Sequence, residues 1–111
     1  MSAFAEVRSP FQNKPAYRYL RATDKLPHPD TITEPDPLAL VKLFNPTGAG
    51  SWYISGYDPE TEIATGAARV HEFERGDIYL PELVEFRGRF GLPIERDLHW
   101  EPRPLSQCEG T

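Results

Sequence analysis

The chain has a single cysteine, Cys108, among its 111 residues. No internal disulfide and no cysteine-based zinc site can be built from it, which suits a reducing interior. Excess positive charge is also missing. Lys and Arg total 12 against 17 Asp and Glu, for a net charge of −5. That is the wrong sign for a protein whose affinity comes from displacing counterions around phosphates, so double-stranded nucleic acid is not an expected partner. No window approaches the roughly 20 apolar residues of a membrane span. The stretch Met1 to Arg8 also lacks the basic and then apolar order of a leader, so the expectation is a cytoplasmic protein with no membrane partner.

Proline is abundant, at 12 residues, about twice its usual share. Half of these prolines precede residue 38, and Pro27, Pro29, Pro35 and Pro37 leave their stretch extended, with no room for a helix. Residues 1–37 therefore read as a Pro-rich N-terminal arm, residues 38–101 as a compact core and residues 102–111 as a C-terminal tail. All of the net negative charge falls in the core segment, where a solvated acidic surface is the ordinary explanation.

Within the core, Leu38 to Phe44 is a dense apolar run that predicts a first strand, closed by the turn signal Asn45-Pro46-Thr47-Gly48. Ser51 to Tyr57 predicts a second strand, with Trp52 and Ile54 on one face and Tyr53, Ser55 and Tyr57 on the other. Ile63 to Val70 predicts a third, and after a polar link from His71 to Gly76, Ile78 and Leu80 predict a short fourth. Pro81 then stands in a helix's first turn, followed by the stripe Leu83, Val84 and Phe86, which Phe90 extends if the helix continues. Gly88 or Gly91 can stop that helix, and Glu85 can pair with Arg89 if it reaches so far. Leu92 to Trp100 supplies a turn and a closing strand. The expected fold class is α+β: a small antiparallel sheet of four to five strands, one short helix on one face, and the extended arm. Val41, Leu43, Trp52, Ile54 and Trp100 are the residues able to bed the helix. Either edge strand of so small a sheet can also pair with a second copy, giving a homodimer.

No catalytic constellation emerges. Ser51 and Ser55 lack a nucleophile elbow, and Cys108 belongs to a tail expected to be flexible. Gly48-Ala49-Gly50 is too short for a dinucleotide fingerprint and precedes a strand, so no cofactor is expected. Asp58, Glu60 and Glu62 open like a calcium loop, but Ile63 stands where Gly is needed and Arg69 where the bidentate Glu is needed. His71, Glu72, Glu74, Asp77 and His99 are ligand or proton-carrier types in no recognised spacing, and His28 lies in the arm; no metal site is assigned to them. Tyr17, Arg18, Tyr19 and Arg21, with the tryptophans, are the residues a single-strand nucleic-acid binder would use. The densest charge cluster beside apolar residues is Arg87, Arg89, Glu95, Arg96 and Asp97. Arg96 can brace a turn there through charge-assisted bonds, and as a group these five are the candidate partner-binding residues, since Arg and aromatics favour interface anchors.

The order Val41-Lys42-Leu43-Phe44-Asn45-Pro46, then Trp52-Tyr53, then Asp77-Ile78-Tyr79-Leu80-Pro81-Glu82-Leu83, then Gly91-Leu92-Pro93-Ile94-Glu95-Arg96-Asp97-Leu98 resembles a domain-of-unknown-function family of small single-domain proteins. Such proteins are carried on plasmids, integrative conjugative elements and phages. The resemblance covers Leu26 to Gln107 and leaves residues 1–25 outside; the family more commonly has Ser where Pro81 stands. It implies a mobile-element gene and supplies no catalytic residues. The expected function is a non-enzymatic accessory protein that binds a host or mobile-element protein and blunts a host defence system. The alternatives are a small metal-dependent enzyme or subunit built on His71 and His99, and a single-strand nucleic-acid binder.

Overall fold

The computed structural model describes residues 6–10 and 17–111; the remaining residues of the N-terminal arm, and what was expected of them, lie outside the described residues. The architecture is α+β, as the sequence predicts. Among the described residues seven strands form in chain order: β1 (Leu38–Ala39), β2 (Val41–Phe44), β3 (Ser51–Asp58), β4 (Ile63–Arg69), β5 (Phe73–Tyr79), β6 (Glu95–Arg96) and β7 (Arg103–Pro104). One helix, α1 (Leu80–Glu85), follows β5 directly. The main antiparallel sheet has the order β5-β4-β3-β2-β6, and β1 pairs with β7 in a separate two-stranded sheet.

Several elements depart from expectation for identifiable reasons. The apolar run from Leu38 is split at Leu40, whose N–H donates to the Ile54 carbonyl at 2.8 Å while β1 turns away to meet β7. The register of β3 on β4 shifts between Ile54 and Gly56, a bulge at Ser55. An extra residue reverses the alternation beyond it. Tyr57 therefore joins Trp52 and Ile54 in one cluster instead of sharing a face with Tyr53. Strand β5 begins at Phe73, absorbing most of the supposed polar link, because Phe73 and Ile78 bury opposite faces of an otherwise charged strand. The closing strand shrinks to Glu95–Arg96.

Two cores result, one on each face of the sheet. The first gathers Val41, Leu43, Trp52 and Ile54 under Leu80 and Leu83 of α1, with Tyr19 and Leu20 from the arm. A six-residue helix is too short to persist alone in water. Burial of Leu80 and Leu83, worth about 1.5–3 kcal/mol each, is what holds it. The second core contains Ala39, Tyr53, Ala67, Leu105 and Cys108, with Phe73 and Trp100 packed against it. Trp100 thus lies across the sheet from α1 and does not bed it. Its indole N–H donates to the Ala39 carbonyl at 2.9 Å, and its ring centroid is 5.6 Å from that of Tyr53. Cys108 is not in a flexible tail. It is fully buried, and Asp36 accepts from both the Ser106 N–H and hydroxyl, fastening the C-terminal segment beneath the sheet.

Candidate functional site

Helix α1 ends at Glu85 because Phe86 leaves helical space, at φ −60 and ψ 136. Its ring turns inward to meet Trp52 edge-on at 6.5 Å. The chain then makes a tight excursion before β6. The Gly88 N–H donates to the Leu92 carbonyl at 2.7 Å, and the Leu92 N–H donates to Arg89 at 3.2 Å. Both central residues of the inner turn, Phe90 (φ 60) and Gly91 (φ 71), have positive φ, as a type I′ turn requires. Gly91 takes that conformation without cost, whereas a bulky residue there is an outlier. Phe90 is not part of the helix stripe. It stands at the tip of the turn with 90% of its surface exposed.

The strained turn is fixed from below. Thr47 Oγ1, in the β2–β3 turn, accepts the Arg89 N–H at 3.0 Å, and Asn45 Oδ1 accepts the Thr47 N–H at 3.1 Å. Gly88 permits this approach, since a Cβ there would lie 2.6 Å from Thr47 Oγ1 and 2.9 Å from Asn45 Oδ1. Beyond the turn, the buried Tyr19 hydroxyl donates to the Ile94 carbonyl at 2.6 Å. Burial pushes that phenol above its ordinary range, so it keeps its proton and remains a donor. Leu92, 41% exposed, leads from the turn into a pocket of ≈250 Å³ shared with Tyr17, Pro93, Ile94 and Glu95.

The five charged candidates separate into different roles. Arg96 is buried and braces the fold. Its Nη1 and Nη2 meet Asp24 Oδ2 and Oδ1 at 2.8 and 2.6 Å, and Nη1 also donates to the Tyr19 carbonyl at 3.1 Å. What it braces is therefore the arm. Arg87 donates to the carbonyls of Val84 and Phe86, capping α1's last turn. Arg89 and Glu95 are exposed. Asp97 accepts the His99 N–H at 2.9 Å and donates its own N–H to the Lys42 carbonyl. Arg87 and Arg89 lead into the Phe90 tip in sequence, while Glu95 and Arg96 form the edge strand β6 that follows it and Asp97 comes directly after that strand. Phe90 and Asp24 were not among the sequence candidates, and Tyr19 was one only for single-strand nucleic acid. The signal for Phe90 was its place between Gly88 and Gly91, a spacing better suited to a turn than to a helix.

The other chemical candidates are dispersed or structural. His71 lies in the β4–β5 turn and His99 in the turn after β6, with β3 and β2 between those strands in the sheet. Among the described residues no group of three or more His, Cys, Asp or Glu side chains comes together as a metal cluster. His28 pairs with Asp58 at 3.3 Å, and Asp58 also accepts the Glu60 N–H at 2.9 Å, closing the hairpin tip that resembled a calcium loop. Trp52 and Tyr19 are core residues, and Arg18 pairs with Glu6, so the set suggested for nucleic acid does not form a stacking platform. A second pocket, ≈310 Å³, has Val7, Leu80 and Val84 as walls and Glu6, Glu62 and Glu85 among its lining residues. Among the described residues no helix is long and apolar enough to cross a membrane.

The fold and these surfaces define a small α+β domain with a solvent-facing aromatic turn and, among the described residues, no cluster of three or more potential metal ligands. The chain belongs to the DUF2958 family, described as a protein of unknown function, whose sequence profile matches residues 18–108. That span opens at Arg18 and so includes Tyr19 and Asp24, which the resemblance drawn from sequence had left out. No curated protein and no solved structure matches the chain.

Proposed function

We propose that this chain is a non-enzymatic binding protein whose contact surface is the 87–92 turn, with Phe90 as its anchor. The observation that carries the reading is Phe90 itself, an aromatic 90% exposed on left-handed backbone. Exposing a ring this way gains the isolated domain nothing, and left-handed backbone costs a bulky L-residue about 1–2 kcal/mol. Strain of this kind concentrates at functional sites. Aromatic and Arg side chains dominate interface hot spots, and Arg87 and Arg89 lie three residues and one residue before Phe90 in the same turn. The complementary partner presents an apolar slot rimmed by carboxylates. The finer reading, carried by the resemblance in the sequence motifs and not by the family match, is an accessory protein of a phage or other mobile element that engages a host protein and blunts a defence system.

The test is affinity capture from host lysate with the wild type, Phe90→Ala, and the pair Arg87→Glu with Arg89→Glu, followed by affinity measurement on the purified captured protein. Truncating a hot-spot aromatic costs at least about 2 kcal/mol, a loss of roughly 30-fold. A stoichiometric partner that binds all three forms equally would place the interface elsewhere, and failure to capture any stoichiometric partner would overturn the reading.

A further inference from the structure

Strand β5 is the long outer edge of the main sheet. It pairs with β4 along all seven residues, from Arg69↔Phe73 to Ile63↔Tyr79. Among the described residues no strand pairs with its other side. An edge of that length is a template for another strand, and proteins ordinarily blunt it with charge. Here the charges are Glu74, Arg75 and Asp77, the last two on either side of Gly76.

We propose that β5 pairs antiparallel with β5 of a second copy of the chain about a two-fold axis at Gly76, making one ten-stranded sheet. Self-complementarity of the strand carries the inference. In that register Arg75 faces Asp77 of the partner twice over, and Phe73 faces Tyr79 of the partner twice over. Opposite charges and aromatic pairs are the cross-strand combinations that stabilise antiparallel sheets. All four residues share one face by alternation. Glu74 faces the apolar Ile78, and Gly76 faces itself; a Cβ built there meets nothing within 4 Å, so the face of the sheet beside the axis is clear of the subunit's own atoms. Tyr79 is 47% exposed, an aromatic surface that the pairing would cover.

The alternatives are worse for physical reasons. Sliding β5 by one residue sets side chains of opposite faces against each other, which a two-fold axis normal to the sheet forbids. Sliding by four centres the pair on Glu74 or Ile78; the former opposes like charges, and either leaves little of β5 overlapped. Moving the axis to Arg75 or Asp77 sets that residue against its own copy. Arg75 already donates one bond, to the Pro35 carbonyl at 2.6 Å, and its guanidinium has four further N–H groups.

Sedimentation equilibrium over roughly 1–200 µM, bracketing the micromolar affinities in which a small interface is measurable, tests the register directly. The wild type is compared with Arg75→Asp, Asp77→Arg, the double exchange, and an equimolar mixture of the two single variants, each checked for native circular dichroism. The expected result is a wild-type dimer, at least about tenfold weaker self-association in each single variant, recovery in the double exchange, and a heterodimer in the mixture. A mixture of the single variants restores both charge pairs only if position 75 faces position 77. A monomeric wild type, unchanged single variants, or native variants in which neither exchange nor mixing restores association would each overturn the proposal.

Discussion

Replacing Phe90 separates the needs of the fold from those of the proposed contact. At φ 60 and ψ 19, an L-residue pays about 1–2 kcal/mol for left-handed backbone, and Asn pays least among residues with a Cβ. The ring's own contribution to stability is small: with 90% of its surface exposed, only about a tenth of an aromatic's roughly 200 Å² is buried, worth at most about 0.5 kcal/mol. Phe90→Asn therefore gains about 0.5–1 kcal/mol and completes an Asn-Gly type I′ pair. In a domain of 111 residues that raises Tm by about 2–5 °C. Phe90→Gly relieves the same strain but adds about 0.5–1 kcal/mol of unfolded-state entropy, so it falls near the wild type. Phe90→Ala keeps the Cβ and the strain, and gains nothing. The ranking of Asn first, with Gly, wild type and Ala close together below it, read by thermal and urea unfolding, is a signature of left-handed backbone that loss of packing cannot mimic. All three variants lose the captured partner. Destabilisation by Asn of more than about 1 kcal/mol, a size reserved for buried contacts, would refute the reasoning.

Other perturbations test the supports. Asp24 and Arg96, with side chains 6% and 7% exposed, form a buried pair; Asp24→Ala leaves an unpaired guanidinium and is expected to cost about 3 kcal/mol in urea unfolding, with Arg96→Lys retaining part of the loss because Lys cannot bind bidentately. Burial pushes the Cys108 thiol up from its ordinary range, so the folded protein is expected to resist a thiol reagent at pH 8 and react only as it unfolds; rapid native-state labelling would contradict the packed C-terminal segment. Bonds from Ser106 hold the Asp36 carboxyl below its ordinary value. Its stabilisation is therefore complete above the unfolded-state pKa and is lost as pH falls through the lower folded one. Hydrogen exchange at residues 105–108 is expected to accelerate in that acidic window, and Asp36→Asn should flatten the dependence.

Much of the sheet was legible because its strands carry local signals. Asn45 to Gly50 announces a turn, Trp52 to Tyr57 has the β-branched and aromatic content of a strand, and Pro81 marks a helix start. The bulge at Ser55 was not legible, since one extra residue leaves composition unchanged while moving Tyr57 to the opposite face. Trp100 and Cys108 were misplaced for a related reason. The second core depends on β1 leaving the first strand at Leu40 to meet β7, a long-range pairing with no local signature. The site was only half visible. Its charges stood out as a cluster, but whether an Arg braces or binds depends on what comes near it, and Asp24 approaches Arg96 from 72 residues away. Phe90 is the reverse case: its helical spacing puts it on the stripe only if the helix continues, and the flanking glycines, able to stop that helix, favour the turn that forms.

The two proposed surfaces occupy opposite edges of the sheet, and their geometry links them. The Phe90 turn leads into β6, at one end of the order β5-β4-β3-β2-β6, and β5 is at the other. Joining two copies through β5 would leave both Phe90 turns on the outer edges of a ten-stranded sheet, where a strand spacing of about 4.8 Å separates the two β6 strands by roughly 40 Å. Such a dimer presents two identical anchors facing apart, so it can bridge two partner molecules or hold a multimeric one by avidity without any new contact. Arg75→Asp then becomes informative in a second way. It leaves the Phe90 turn intact, so its affinity for partner sparsely immobilised on a surface should equal that of the wild type. On a dense surface, where the wild type dissociates slowly through two-point attachment, the variant should leave at its single-site rate. Equal dissociation of both forms at high density would mean that the turns act singly, whatever the state of β5.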